Sequence, residues 1–341
     1  MQHFEWLNAK SEAEAAGSGA ITVASAMIAP TGGRPSQNAI VVKAGGIDLL
    51  DLMKEGLLQP SRIVNLRAAA GLDQIVEQKD GTVRVGSMVT LANLARHPTI
   101  VQRYTALAEV AGNSASPQIR NVATLGGNLL QRPRCWYFRS AHHHCARKCG
   151  EVCFAFGGDN RYHAIFDHEG CAIVHPSTSA TALVALGASI ELVQDNGSRR
   201  LVPLEEFFLL PDTDITREND LKPGEILSAV ILPKLSATAK SVHLKQGEKD
   251  SFDWPIADVA VLLDRDTAGI CTKASIVLGS AAPVPHRAKA AEAILMGGPI
   301  KEPIARAAAQ AAIAGAAPLF RNAYKLPIFE TLVRRALLAA A

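Results

Sequence analysis

The cysteines of this chain are concentrated in one segment, and that concentration restricts the fold more than any other feature of the sequence. Of the six cysteines in 341 residues, five lie between residues 135 and 171: Cys135, Cys145, Cys149, Cys153 and Cys171. Thiols gathered in this way indicate disulfides, a structural zinc site or an iron–sulfur cluster held by thiolates.

The rest of the chain favours one of these three interpretations. Disulfide frameworks belong to short secreted domains that cannot build a core, whereas this chain is long and 48% hydrophobic. Its first residues, MQHFEWLNAK, contain no apolar run and no twin arginine, so they do not predict a signal peptide. Zinc sites commonly contain C-x2-C pairs, which are absent here, although the histidine triplet 142–144 keeps a mixed site open. An iron–sulfur cluster is therefore favoured.

Composition excludes two classes of partner. The 35 basic and 32 acidic residues are well mixed and leave a net charge of +3. Because no basic stripe with interleaved aromatic residues is present, nucleic acid is not an expected partner. No segment has eighteen consecutive uncharged apolar residues, so a membrane-spanning helix is not expected either.

Hydrophobic periodicity predicts a small α/β unit at the start of the chain and an α+β appendage at its end. Strand-like runs and helical patterns alternate over the first ninety residues, beginning with the run AIVVK and a helix that starts at Asp48. Thr90 is predicted to be a helix N-cap. Strand-like runs continue after residue 239, and the last forty residues are helical by pattern, with an amphipathic helix predicted from Ile304 to Leu319. The segment 233–239 is predicted to be a domain boundary.

Two glycine pairs follow apolar runs, Gly45-Gly46 and Gly126-Gly127. Neither belongs to a Rossmann or P-loop motif. Glycine at such a position allows backbone N–H groups to approach a phosphate. A tight turn without a ligand is the simpler interpretation for either pair alone. Two such turns that meet at one pyrophosphate would be a stronger signal.

The residues around both pairs resemble the FAD-binding subunits of the xanthine dehydrogenase family of molybdenum hydroxylases. Those subunits contain A-G-G-T-[DN]-L and R-N-x-A-T-x-G-G-N-L, which here correspond to AGGIDL and RNVATLGGNL. Further matching segments follow in family order: GSMVTLANLA, HPSTSATALVALGA, GEILSAVILP and APVPHRA. The resemblance implies a two-subdomain FAD-binding fold over residues 1–235 with an iron–sulfur segment at 135–171, followed by a C-terminal α+β domain over residues 236–341.

The resemblance also implies the residues that bind FAD. Backbone amides of residues 44–49 and 124–128 would surround the pyrophosphate, Lys245 would lie near the flavin, and Leu227 would pack near the cofactor. An exposed strand residue is the alternative interpretation of Lys245. The full set of implied FAD-binding residues is Val42, Lys43, Ala44, Gly45, Gly46, Ile47, Asp48, Leu49, Ser116, Thr124, Gly126, Gly127, Asn128, Thr178, Leu227 and Lys245.

Within the family, the cysteine segment is similar to that of the flavoprotein subunit of bacterial aldehyde oxidoreductases, which contains a [4Fe–4S] cluster. This similarity implies the ligands Cys135, Cys145, Cys153 and Cys171. Cys149 departs from the pattern and is expected not to be a ligand. The sixth cysteine, Cys271, is expected to be a buried apolar residue. The arginines at 132, 134 and 139 either tune the cluster or dock an acidic partner, or are solvated loop residues.

The function implied is electron transfer, with no catalytic residue on this chain. A large molybdenum–pterin subunit would oxidise the substrate, and a small subunit with two [2Fe–2S] clusters would pass electrons to FAD here and on to an external acceptor. Such a chain would remain in the cytoplasm, or reach the periplasm by co-export with a signal-bearing partner.

Two departures from the family motifs leave an alternative open: Ile47 replaces a threonine and Thr178 replaces an aspartate. Residues 18–37 also resemble an insertion. Two lost polar contacts would weaken FAD binding by about 1 kcal/mol each. The alternative is a zinc-bound structural or assembly subunit that has lost FAD.

Overall fold

The computed structural model describes residues 3–27 and 38–341, and the predicted insertion therefore lies partly outside the described residues. Within these ranges the strands are β1 Glu5–Asn8, β2 Ile40–Lys43, β3 Arg62–Asn65, β4 Ile75–Glu77, β5 Val83–Gly86, β6 Ser189–Val193, β7 Arg199–Pro203, β8 Ile226–Leu232, β9 Lys240–Gln246, β10 Ala257–Arg265, β11 Cys271–Gly279 and β12 His286–Arg287.

The α-helices in the same ranges are α1 Glu12–Ala16, α2 Val23–Met27, α3 Ile47–Lys54, α4 Leu91–Arg96, α5 Pro98–Arg103, α6 Thr105–Asn113, α7 Pro117–Arg120, α8 Leu125–Leu129, α9 Trp136–Arg139, α10 Thr178–Leu186, α11 Leu204–Phe207, α12 Lys289–Leu295, α13 Glu302–Ile313 and α14 Lys325–Ala340. Two 3-10 turns occupy Leu66–Ala68 and Ala146–Lys148.

A small parallel sheet forms first, in the order β1-β3-β2. Helix α3 connects β2 to β3, as a parallel pair of strands requires. Alternate residues serve the two faces of this sheet: Val41 and Ile63 enter one core with α3, while Val64 enters another. This arrangement places the glycine pair 45–46 at the carboxyl end of β2, where the chain turns into α3.

Two antiparallel sheets follow. The first has five strands in the order β4-β5-β8-β6-β7, and the second has four in the order β12-β11-β10-β9. Strand β10 is buried on both faces, because Val259 and Val261 pack toward the C-terminal helices while Ala260 and Leu262 pack toward the core of the five-stranded sheet. Its continuous apolar run reflects this double burial.

The structure confirms several local predictions and corrects two. Thr90 is the N-cap of α4, and its hydroxyl accepts a hydrogen bond from the Asn93 amide. Gly126 and Gly127 lie in the first turn of α8, not in an open turn, because the Thr124 hydroxyl caps that helix. The helix predicted from Ile304 to Leu319 ends at Ile313. It ends there because Gly315 has a φ of +86° and Pro318 follows.

The cysteine segment 135–171 lies between the α3 side of the molecule and the C-terminal helices. A buried lysine binds the C-terminal part of this segment. Lys325 is fully buried at the start of α14, and its Nζ donates to the carbonyl oxygens of His163 at 3.0 Å and Ser280 at 2.5 Å. No described helix is both long and apolar enough to cross a membrane.

The burial of this amine predicts a specific pH dependence of stability. Burial lowers the pKa of Lys325 to about 7, against about 10.4 in an unfolded chain. Between these values the unfolded chain holds a proton that the folded chain lacks, so stability rises with pH by up to about 1.4 kcal/mol per pH unit. Urea unfolding at pH 7 to 10 should show wild-type stability falling relative to Lys325→Met as the pH decreases. Parallel curves would contradict the prediction.

Candidate functional site

A cavity of about 570 Å³ lies where the small parallel sheet meets α8, β8 and β9. We refer to it as the main cavity. All sixteen residues implied by the family resemblance line it. They come from six separated parts of the chain, and the fold brings these parts together: residues 42–49, 116, 124–128, 178, 227 and 245.

The first glycine loop, residues 44–49, is shaped by two glycines. Gly46 has a φ of +88° and forms the N-cap of α3, so no side chain caps this helix. A Cβ on Gly45 would clash with the carbonyl oxygen of Val122. The first N–H groups of a helix lack intrahelical acceptors, and here they line the main cavity. An anion such as a phosphate is the ligand that such groups favour.

The second glycine loop, residues 124–128, packs directly on the first. A Cβ on Gly127 would lie 3.7 Å from the Ala44 Cβ, and one on Gly126 would lie 2.7 Å from the Ser87 Cβ. The two loops therefore meet at the same part of the cavity. Their convergence requires small residues on both sides.

The family resemblance implies that the amides of the second loop would surround a pyrophosphate. Within the protein they already have acceptors: Leu125 donates to Val89 O, Gly126 to Ser87 O, Gly127 to the Thr124 hydroxyl and Asn128 to Thr124 O. A phosphate oxygen could only share these donors. The uncapped first turn of α3 is thus the better source of amides, and the second loop mainly provides close approach.

Polar groups at the other end of the cavity are held by neighbours. Lys245 is half-buried and its Nζ donates to Asn113 O at 2.8 Å, so it is not the exposed strand residue considered as an alternative. The Asn128 Oδ1 accepts from the Ser177 hydroxyl at 2.6 Å. Thr178, which replaces the family aspartate, lies with its hydroxyl 3.3 Å from the Ser114 hydroxyl. Leu227 is buried in β8.

The arginines before and after Cys135 are not solvated loop residues. Asp48 of α3 pairs with Arg134 at 2.9 Å and with Arg139 at 2.6 Å, and it also accepts from the Arg132 amide at 2.8 Å. Arg132 is itself buried. The carboxylate of Asp48 therefore fixes the start of the cysteine segment to the helix that begins at the first glycine loop.

The four cysteines implied as ligands line a second, much smaller pocket, which we call the cysteine pocket: Cys135, Cys145, Cys153 and Cys171. Aromatic and apolar side chains complete its wall: Tyr137, Phe138, Phe154 and Ile173. Cys149 is exposed, has a φ of +64° and does not line the pocket. Cys271 is buried in β11, as expected.

All six cysteines are in the described part of the chain and are free thiols. Burial raises the pKa of Cys135 to about 12. A hydrogen bond from Cys153, together with the Arg147 guanidinium, lowers the pKa of Cys171 to about 5. Among the described residues, no three His, Cys, Asp or Glu side chains are arranged to hold one metal ion. A metal site here is therefore not shown by the geometry.

Three residues of the cysteine pocket and its surroundings were not predicted. His163 lies with Nε2 3.2 Å from the Cys135 Sγ, and Arg147 donates from Nε to the Cys171 Sγ at 3.4 Å. Glu218 pairs with Arg147 at 2.6 Å. Arg147 lies between two cysteines in the sequence, which was a usable signal. Glu218 lies forty-seven residues beyond Cys171, and nothing in the sequence indicated its part in this pocket.

Comparisons with known proteins are consistent with this geometry. Residues 3–235 match the family described as "FAD binding domain in molybdopterin dehydrogenase". Residues 242–340 match the "CO dehydrogenase flavoprotein C-terminal domain". This chain belongs to the FAD-binding subunits of the molybdenum hydroxylase family. It is therefore a flavoprotein subunit of an oxidoreductase complex.

Individual relatives cover most of the subunit. It is 34% identical over 285 residues to the aldehyde oxidoreductase FAD-binding subunit PaoB of Escherichia coli K12, covering 83% of this chain and 86% of that protein. It is 29% identical over 301 residues to the carbon monoxide dehydrogenase medium chain of Hydrogenophaga pseudoflava, covering 87% of this chain and 88% of that protein.

A solved structure extends the likeness to the fold. The carbon monoxide dehydrogenase of Hydrogenophaga pseudoflava that lacks the Mo-pyranopterin moiety superposes with a TM-score of 0.73 at 27% identity, covering 99% of this chain and 97% of the other. The subunit thus has the mixed α and β fold of that structure.

Proposed function

We propose that this subunit contains FAD and a [4Fe–4S] cluster and transfers electrons within a molybdenum-dependent aldehyde oxidoreductase or xanthine dehydrogenase-type complex. The observation that carries the proposal is the convergence of two glycine loops on one cavity, with a pocket of four cysteines beside it. The 34% identity to an aldehyde oxidoreductase FAD-binding subunit favours aldehydes as the substrate class.

The residues of the main cavity fit FAD. The uncapped first turn of α3 would bind the pyrophosphate, with Gly45 and Gly127 allowing it to approach both loops. Lys245 and Leu227 would lie beside the flavin ring, the lysine held by Asn113 O. FAD supplies the exchange between one-electron carriers and a two-electron acceptor. The chain's own residues bind and orient it.

Neither of the two substitutions in the family motifs, Ile47 and Thr178, removes a contact that holds the cavity together. Ile47 is 39% exposed at the start of α3, where its backbone amide remains available. The Thr178 hydroxyl keeps a polar group at the position of the family aspartate. FAD binding weaker than in the relatives, but retained, is the expectation.

Four cysteines around one pocket support a cluster more than a single ion, and binding a cluster would require this pocket of about 10 Å³ to widen. In a [4Fe–4S] cluster each of four thiolates binds a different iron, so the four sulfurs need only surround a common pocket, as these four do. The basic side chains near them, Arg147 and Lys148, suit a group of negative charge. Buried thiols such as Cys135 would lose their protons on binding iron. The spacing of the cysteines and the shared pocket support this assignment.

The proposal includes the rest of the complex. A large molybdenum–pterin subunit would oxidise the substrate, and a small subunit with two [2Fe–2S] clusters would deliver electrons to FAD, which an external acceptor would then receive. We place the boundary between the FAD-binding and C-terminal domains after residue 235. In support, β8 ends at Leu232 in one sheet and β9 begins at Lys240 in another.

Anaerobic purification with an absorption spectrum and analysis of iron, sulfide, zinc and flavin tests the proposal. We expect one FAD, about four irons with equivalent sulfide, and a broad absorption beneath the flavin bands. About one zinc without iron or flavin would contradict the proposal and support a structural or assembly subunit. A protein that contains FAD but no iron would support the flavoprotein assignment and contradict the proposed cluster.

A further inference from the structure

A buried chain of charges connects the cysteine pocket to the main cavity. Arg147 and Arg132 both pair with Glu218, through Nη1 to Oε1 at 2.6 Å and Nη1 to Oε2 at 3.1 Å respectively. We call these three residues the buried triad. Each member is no more than 3% exposed. Arg147 contacts the Cys171 Sγ, whereas Arg132 and Glu218 line the main cavity.

The buried triad has more positive charge than its own carboxylate can balance. Two guanidinium groups share one carboxylate, and burying an uncompensated charge is unfavourable. Two of its nitrogen atoms, Arg147 Nη2 and Arg132 Nε, are buried without a hydrogen-bond partner among the described residues. Asp48, which accepts from the Arg132 amide, is already paired with Arg134 and Arg139. The unpartnered donors indicate that the triad can accept a further anionic partner beyond the Cys171 sulfur.

The direction of Arg147 identifies that partner. Its Nε donates to the Cys171 sulfur at 3.4 Å, and Arg147 is one of the residues that line the cysteine pocket. A cluster held by four thiolates carries negative charge, and reduction adds one more. Hydrogen bonds to the sulfurs and nearby charge are among the factors that set a cluster's reduction potential.

We propose that Arg147 and Glu218 are positioning residues that set the reduction potential of the [4Fe–4S] cluster in opposite directions. Arg147 stabilises the reduced, more negative cluster through its charge and its Nε–H donor. Glu218 holds Arg147 in place and reduces its effect by placing a carboxylate next to it. This inference depends on the cluster of the proposed function and adds the residues that regulate its potential.

The test is a redox titration of the full chain, followed by the electron paramagnetic resonance signal of the reduced cluster. In Arg147→Gln the ratio of reduced to oxidised cluster at a fixed potential should fall about tenfold, which is 59 mV for a one-electron couple. In Glu218→Gln the same ratio should rise. Arg147→Lys, which keeps the charge, should shift less than Arg147→Gln.

Arg161→Gln is the matched control. Arg161 lies on the same cysteine segment and pairs with Asp159, but its side chain is 49% exposed and does not line the pocket. It should leave the potential unchanged. If Arg147→Gln loses its iron, Arg147→Lys and Glu218→Gln still test the proposal, because their reduction potentials should shift in opposite directions.

Two failures are distinguishable. Shifts of the same sign, or no shifts, in a wild-type-like preparation with four irons would overturn the roles of Arg147 and Glu218. A merely structural role would produce that result, because both variants would loosen the same contact. A wild-type chain without iron would instead overturn the proposed function.

Discussion

Replacing Cys153 with serine is expected to reduce bound iron from about four per chain to less than one. Cys153 lines the cysteine pocket together with the three other implied ligands, and a cluster needs a thiolate at each iron. Serine has nearly the same shape but provides a hard oxygen in place of the soft sulfur that iron–sulfur clusters prefer. Iron, acid-labile sulfide and FAD measured on one anaerobic sample check the prediction.

Cys149→Ser is the matched control, since Cys149 lies only four residues earlier on the same segment. It is exposed, lies outside the pocket and has a φ of +64°, which serine tolerates as well as cysteine does. Iron should remain at the wild-type level in this variant, and FAD should remain in both. Equal losses of iron from the two variants would contradict the ligand set. Loss of iron only from Cys149→Ser would mean that Cys149 is a ligand and Cys153 is not.

The local elements of the fold could be predicted from the sequence because local patterns determine them. The run AIVVK forms β2, the helical pattern after it forms α3, and Thr90 caps α4. The glycine loops were recognised from the apolar runs before them and from the family motifs, and the positive φ of Gly46 is a conformation that favours glycine. Such constraints depend on neighbours in the chain or on one residue type, so a single sequence reveals them.

What the sequence did not reveal depends on contacts between distant segments. Glu218 reaches Arg147 and Arg132 across seventy-one and eighty-six residues, and nothing around it in the sequence marks a buried carboxylate. Lys325 begins a helix like any surface lysine, and only the packing of α14 buries it against His163. The arginines near Cys135 were open to a solvated interpretation because their partner, Asp48, lies more than eighty residues away.

The same reasoning explains why the second glycine loop was interpreted only in part. The family resemblance implied that its amides would surround a pyrophosphate, and it did not indicate that these amides already have acceptors within the protein. Whether an amide is free depends on Ser87 and Val89, which belong to another part of the fold and accept from Gly126 and Leu125. The difference in free amides between the two loops is therefore a tertiary property, and it favours α3 as the proposed phosphate-binding element.

That difference predicts that Gly45→Ala reduces FAD binding at least tenfold, or about 1.4 kcal/mol. The added Cβ would meet the carbonyl oxygen of Val122, which belongs to the backbone and cannot rotate away as a side chain would. The two glycine loops would separate, and the first turn of α3 would move away from the position proposed for the pyrophosphate. Titration of the flavin-free chain with FAD, followed by fluorescence quenching, measures the change.

Gly298→Ala provides the comparison, because a Cβ at that position meets nothing within 4 Å and its φ is not positive. It should bind FAD like the wild type. Iron should stay with both variants, since the cysteine pocket does not include Gly45. Retention of wild-type affinity in Gly45→Ala would mean that the contact of the two loops does not position the phosphate site. Loss of iron together with FAD would mean that the substitution disrupts the fold more widely than one loop.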